Sequence, residues 1–301
     1  MWNSYGSDNR VSGSGYGNKV WKDHPSSTNG TEQDWTVPAG VTSVCIICVG
    51  GGAGADGGNK GGGGGLTWIN DVPVTPGTTL KVLQGKTGGR NGSGNPEGSD
   101  QDGQSSYVKD ANGNLIIQAN GGTKQTYGHG GSGGNDINNI GTNYRSLTYG
   151  GGKGGHGSGG NSGKGGGGGA AGYSGNGGSG GTQCNDGWDG TQDGGQGGGV
   201  GIYGEGANGT GGGQGNYASP GTGGSGGWTG AGTYGQWTED TGKYGGGSGA
   251  GSGGAGRGAV RILWGAGRAF PSTNVQQDGT YTHADYGSFN NSDKLHINQE
   301  R

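Results

Sequence analysis

Between Gly150 and Gly181 the chain runs GGGKGGHGSGGNSGKGGGGGAAGYSGNGGSGG. From Gly151 onward every third residue through Gly181 is glycine, eleven in all, and no proline lies among them. A frame of three is the repeat of an extended helix with three residues per turn, rising about 3.1 Å per residue and forming no internal hydrogen bonds. Every N–H and C=O of such a helix points outward and must find a neighbour. Neighbouring backbones come close enough only where no Cβ stands between them, so glycine marks the touching face. Collagen shares the period but needs abundant proline. A flexible Gly/Ser linker needs no frame at all. Eleven triplets would extend roughly 100 Å if straight, so a reversal is expected within the run, near Ala170-Ala171.

Shorter frames recur at Gly195, Gly198, Gly201 and Gly204; at Gly206, Gly209, Gly212 and Gly215; and at Gly221, Gly224, Gly227 and Gly230. Pure glycine stretches, Gly61–Gly65 and Gly165–Gly169, suit helices surrounded on all sides. Composition agrees with a chain that packs by its backbone. Of 301 residues 91 are glycine, and apolar residues make up only 24%. Ordinary domains carry about 7% glycine and, with glycine left out, roughly 40% apolar residues. Yet the 13 Tyr and 8 Trp are more aromatics than a disordered chain usually holds.

Ordinary β-structure frames the glycine-rich part. WTVPAGVTSVCIICV (35–49) has a Pro-Ala-Gly turn followed by a β-prone run. LTWINDVPVTPGTTLKVLQ (66–84) predicts two strands joined at Thr75-Pro76-Gly77. SSYVKDANGNLIIQA (105–119) predicts a hairpin about Asn112-Gly113. GAVRILW (258–264) is a late, isolated strand whose natural partners are the early ones. The expected fold is therefore mainly β and irregular. It combines a small antiparallel β-sandwich, 35–119 plus 258–264, with a glycine-rich insertion at 120–257 packed as polyglycine II helices. Polar extensions, 1–34 and 265–301, would serve for attachment.

Several function classes are disfavoured. A net charge of −3, with no Lys/Arg block, speaks against nucleic acid or anionic lipid as a partner. No apolar run is long enough for membrane insertion, and MWNSYGSDNRVSGSGYGNKV lacks the apolar core of a secretion signal. Cys45 and Cys48, three apart on one strand, point to opposite faces and cannot easily pair, so they are expected as buried free thiols. Gly52–Gly57 fits GxGxxG, but GGNKGGGGG after it cannot be a stable helix, so no nucleotide cofactor is expected. The acidic stretches 95–104 and 184–193 match no calcium loop and are taken as solvated acids rather than a metal site. Scattered histidines and unpaired carboxylates give no support to an enzyme.

The segments WTVPAGVTSVCIICVGGGAGADGG, DVPVTPGTTLKVLQGKTGG and GRGAVRILWG resemble the glycine-rich domain of bacteriophage tail-fibre and receptor-binding proteins. Polyglycine-sandwich adhesins at long tail-fibre tips share its glycine-rich architecture. GAVRILWGAGRAFPSTN is similar to virion structural proteins of marine cyanophages. The resemblance covers about residues 35–268. It implies a virion protein without catalytic residues, whose loops between glycine helices contact a host receptor: a cell-surface polysaccharide or an outer-membrane protein. Other virion proteins, and further copies of the chain, would be its structural partners.

The loops that interrupt the glycine frames, 135–149, 182–193, 216–220 and 233–241, are the candidate binding surface. In or beside them lie Tyr144, Tyr149, Trp188, Tyr217, Trp228, Tyr234 and Trp237. Tyr and Trp among Asn, Ser and Gly make adaptable contact surfaces, although the same rings could instead cap the ends of glycine helices. Two alternatives stand beside the adhesin. One is a purely structural virion component, such as a capsid decoration or fibre-attachment protein. The other is an ice-binding protein, disfavoured because Lys153, His156 and Tyr173 break any flat Thr/Ala face.

Overall fold

The computed structural model describes residues 17–22, 31–55, 60–88, 102–125, 129–134, 136–157, 166–181, 196–205, 209–213, 221–222, 224–225, 227, 242–249 and 255–271. Over these residues the protein is mainly β, with antiparallel sheets and only two short 3₁₀ turns. A five-stranded sheet is built from β1 (Gly17–Trp21), β3 (Ser43–Val49), β5 (Leu66–Pro73), β10 (Tyr149–Gly152) and β11 (Ala259–Trp264), in the order β1-β11-β3-β5-β10. A four-stranded sheet holds β2 (Gln33–Thr36), β6 (Thr79–Leu83), β7 (Ser106–Lys109) and β8 (Leu115–Ala119), in the order β2-β6-β7-β8. A third, two-stranded sheet pairs β4 (Lys60–Gly61) with β9 (Lys124–Gln125).

The expected strands are present, and the late one pairs as anticipated, Val260 opposite Cys48 and Ile262 opposite Ile46. The turn at Thr75-Pro76-Gly77 joins β5 to β6, carrying the chain from one sheet to the other. The β7–β8 hairpin turns at Gly113, whose φ of 83° favours glycine.

β3 reads SVCIICV because this central strand is buried on both faces: only Ser43 is exposed. Val44, Ile46 and Cys48 join Ile69, Val260, Ile262 and Trp264 in one apolar cluster with Trp35, Leu80, Val82, Val108 and Ile117 of the other sheet. Cys45, Ile47 and Val49 point the other way. They meet Leu66, Trp68 and Leu263, and then Ala170, Ala171, Tyr173, Val200, Ile202, Tyr203 and Tyr244 from the glycine-rich part. The two thiols are free, buried and on opposite faces.

Three segments assigned by sequence to other regions belong to this assembly. Residues 17–21 fall in the N-terminal extension by composition, yet they pair with β11, and Trp21 lies edge-on to Trp35 in the core. Tyr149–Gly152, inside the glycine-rich insertion, extends the same sheet beyond β5. Phe270, in the C-terminal extension, is buried beside Tyr173, and Asn70 bonds to its backbone in both directions. Arg261 is fully buried and ties layers together. Its Nε donates to Asn18 Oδ1, its Nη1 to the Ile202 carbonyl, and its guanidinium lies 4.7 Å from the Tyr203 ring.

The glycine segments bond in a repeating pattern. Gly61 and Gly64 donate to Ser248 and Gly245, Gly62 and Gly65 to Thr123 and Asn120, and Gly63 to Gly155. Their carbonyls accept from Gly168 and Ala171, from Ala53 and Gly50, and from Gly131. Residues three apart thus address the same neighbour, and six segments ring this stretch with bonds of 2.6–3.1 Å. Neighbours run both ways: 61 and 64 pair antiparallel with 248 and 245, whereas 168 and 171 run parallel to 61 and 64. None of these five glycines has a positive φ; a Cβ would instead strike the carbonyl oxygens of Ala53, His129, Gly169, Gly50 and Ser132 in turn. The long run reverses between 172 and 176, just past Ala170-Ala171. Gly166 and Gly169 then bond back to Gly181 and Gly178.

Candidate functional site

Among the seven candidate aromatics, Tyr144 and Tyr149 fall within the described residues; Trp188, Tyr217, Trp228, Tyr234 and Trp237 lie outside them. Tyr149 opens β10 opposite Ile69 and packs against the core, so its ring serves the sheet edge. Tyr144 sits in the connection that precedes it, half-buried beside the same core with Leu147.

That connection, residues 136–149, is held from below. The Asp136 carboxylate accepts the Asn138 N–H at 3.0 Å, capping the 3₁₀ turn Ile137–Asn139. Asn139 is buried and its Nδ2 donates to the Gly133 carbonyl at 2.8 Å and to Ser132 Oγ. Ile140 is buried and bridges Ile117 of β8, while the Gly141 N–H bonds to the Ile116 carbonyl. Gly141 is required here because a Cβ would meet the Leu115 carbonyl oxygen. The second turn, Thr142–Tyr144, then closes with Tyr144 N–H on the Gly141 carbonyl. Arg145 reaches back with Nε to the Ile140 carbonyl at 3.2 Å.

What this scaffold presents to solvent is Ile137, 47% exposed, with Asn138, Thr142, Asn143, Arg145, Ser146 and Thr148. The β7–β8 turn lies near enough for Asp110 to act on the Tyr144 hydroxyl, whose pKa is raised mainly by burial and further by that carboxylate. Asp110 itself loses some hydration, but bonds from the Asn114 side chain and from the Asn114 and Asn112 N–H groups outweigh this and hold its pKa low. The surface therefore offers amide, hydroxyl, guanidinium and carboxylate groups around one aromatic ring on a fixed backbone. Such a set can meet a partner by shape and hydrogen bonding.

Gly52 and Ala53 of the GxGxxG match donate to Gly256 and Gly62 within the glycine packing, and 60–88, the next described residues after Ala55, form strands and turns. Asp102 accepts the Lys124 N–H at 2.6 Å, while most of 95–104 and all of 184–193 lie outside the described residues. Among the described residues no group of three or more His, Cys, Asp or Glu could hold a metal ion, and no helix is long and apolar enough to cross a membrane.

Sequence reasoning missed a second set of aromatics. Tyr173, Tyr203 and Tyr244 are buried where the glycine segments meet the five-stranded sheet. Tyr173 also pins the reversal: its carbonyl accepts from Trp68 Nε1 at 2.9 Å, and its hydroxyl bonds to the Gly201 carbonyl and the Gly204 N–H. For Tyr173 and Tyr203 the signal was the small apolar clusters AAGY and VGIY in the glycine frames; Tyr244, in TGKYGGG, carries none. No protein-family model matches the chain, and no curated protein matches it significantly.

Proposed function

We propose that this chain is a phage virion protein of the tail-fibre adhesin type. Its two larger sheets form a β-sandwich, and its glycine-rich insertion packs as polyglycine II helices against the outer face of the five-stranded one. It binds the host surface, a polysaccharide or an outer-membrane protein, through the loops that leave the glycine packing, and it does so without catalysis. The observation that carries this reading is the bonding around Gly61–Gly65, where residues three apart address the same neighbour. That is the pattern a three-residue helix in a lattice of like helices must show, and it supports the resemblance to glycine-rich adhesins. A backbone lattice of this kind is stiff, and stiffness lowers the entropic cost of presenting binding loops. The 136–149 connection is the described example.

The test is adsorption of fluorescently labelled protein to a panel of bacterial cells that includes cyanobacteria. Saturable binding to a few strains is expected. Trp188→Ala with Trp237→Ala, and separately Asn143→Ala with Ser146→Ala, should weaken it at least tenfold without moving the melting temperature. Unchanged binding in both variants would overturn the loop assignment. Folded protein that adsorbs to no strain would favour a purely structural virion component, a role that the packing of Tyr149 and Tyr144 against the core also suits.

A further inference from the structure

The glycine packing brings together two histidines that are 27 positions apart in the chain. The His129 and His156 rings lie with centroids 5.1 Å apart and planes at 80°. The backbone beneath each is fixed. The His129 N–H donates to Thr123 Oγ1 and its carbonyl accepts the Thr123 N–H. The His156 carbonyl accepts the Gly180 N–H, and the two segments join directly where Gly154 donates to Gly131. His129 is exposed and His156 half-buried, so solvent and solutes reach the pair. Among the described residues each imidazole's partner is the other ring; no hydrogen bond to a ring nitrogen occurs.

We propose that His129 and His156 form a two-imidazole site for a divalent transition-metal ion of the Zn²⁺, Ni²⁺ or Cu²⁺ class. Metal–nitrogen bonds of about 2.1 Å meeting at a tetrahedral angle place two imidazole centroids about 5 Å apart, and the two rings already stand at that spacing. Imidazole suits these ions, whereas Mg²⁺ and Ca²⁺ prefer oxygen donors. Two protein ligands leave the remaining positions to water, so the affinity is moderate and follows the order Cu²⁺ above Ni²⁺, with Zn²⁺ below Cu²⁺. The ion would cross-link segment 129–131 to segment 153–157, at a place where the glycine backbones touch but carry no apolar side chains to hold them. Lys153 acts electrostatically on His156 and would oppose a bound cation.

The test is calorimetric titration of the untagged full chain with Cu²⁺ and with Zn²⁺, paired with thermal melts. One site is expected, with a higher melting temperature in saturating metal. His129→Ala and His156→Ala should each weaken binding at least tenfold and remove the metal-dependent rise in melting temperature. Lys153→Gln should tighten binding several-fold, a readout that leaves both histidines in place. The triple variant His24→Ala, His283→Ala, His296→Ala should bind as the parent does. Absence of binding by the parent chain, or binding lost in the triple variant and kept in the His129 and His156 variants, would overturn the proposal. Host adsorption measured on the same variants stays separate, because the site does not depend on the adhesin reading.

Discussion

An alanine at Gly63 would drive its Cβ into the Gly169 carbonyl, at a separation real Cβ atoms do not show. An alanine at Gly113 would meet nothing within 4 Å but would have to adopt a φ of 83°. The first glycine is needed for what surrounds it, the second for its own backbone. Gly63→Ala should therefore cost about 3 kcal/mol, because a close-packed backbone has no side chain that can move aside. Gly113→Ala should cost about 1 kcal/mol, the left-handed penalty alone. Urea denaturation of both variants separates them, and equal losses would show that Gly63 is not tightly enclosed. The cysteines make a second residue-scale prediction. Burial raises the thiol pKa of both Cys45 and Cys48, and thiolate is the reactive form. In the native protein at pH 8 neither should be alkylated within an hour, while both should react in denaturant. Mass spectrometry of the peptides reads the outcome directly, and rapid native labelling of Cys48 would contradict its place in the core.

Strands were legible where side chains, rather than backbone, do the packing. SVCIICV, LTWINDVP and AVRILW carry enough branched and aromatic residues to announce burial on two faces. β6 and β7 show the alternation of a sheet with one solvated face. β1 was not legible, because GNKVW offers only Val20 and Trp21 as apolar residues and pairs through its backbone with β11. β10 was hidden for the opposite reason: in YGGG the glycine frame masks the strand it also forms. The candidate surface divides the same way. Tyr144 was identifiable from composition, but Ile140 takes its role from a partner far off in the sequence, Ile117 of β8, and Asn139 from the backbone at Gly133. On the solvated face of the four-stranded sheet, Lys109 and Tyr107 both donate to Glu32, and they hold its pKa down, Lys109 foremost. A depressed carboxylate adds stability above its unfolded pKa and loses it as the pH falls through the folded value. Glu32 is solvent-screened, so the contribution should stay below about 1 kcal/mol. Glu32→Gln should lower the urea midpoint slightly at pH 7, and the difference should shrink as the pH falls through the folded value. A difference that does not shrink with acidification would mean the residue acts through packing instead.

For the molecule as a whole, the question is whether the glycine-rich part and the sheets form one cooperative unit. Cys45, Ile47, Val49, Leu66, Trp68 and Leu263 would be laid open to water if the glycine segments came away. The ring of neighbours around Gly61–Gly65 in turn includes segments 50–53 and 120–123, which continue β3 and β8. Each half therefore closes the other, and neither could open without exposing apolar surface or backbone groups with no partner. Hydrogen exchange tests this where it is least expected to succeed, because glycine amides exchange fast when unprotected. The amides of Gly61–Gly65 should be slowed about a thousandfold or more relative to the unfolded chain, as those in β3 are. They should also lose that protection at the same urea concentration as β3. If β3 stays protected while Gly61–Gly65 exchange freely, the glycine segments open on their own, and the stiff platform proposed for the binding loops would not exist. Joint protection would mean that a chain with little apolar content closes its core by passing part of the work to the peptide backbone.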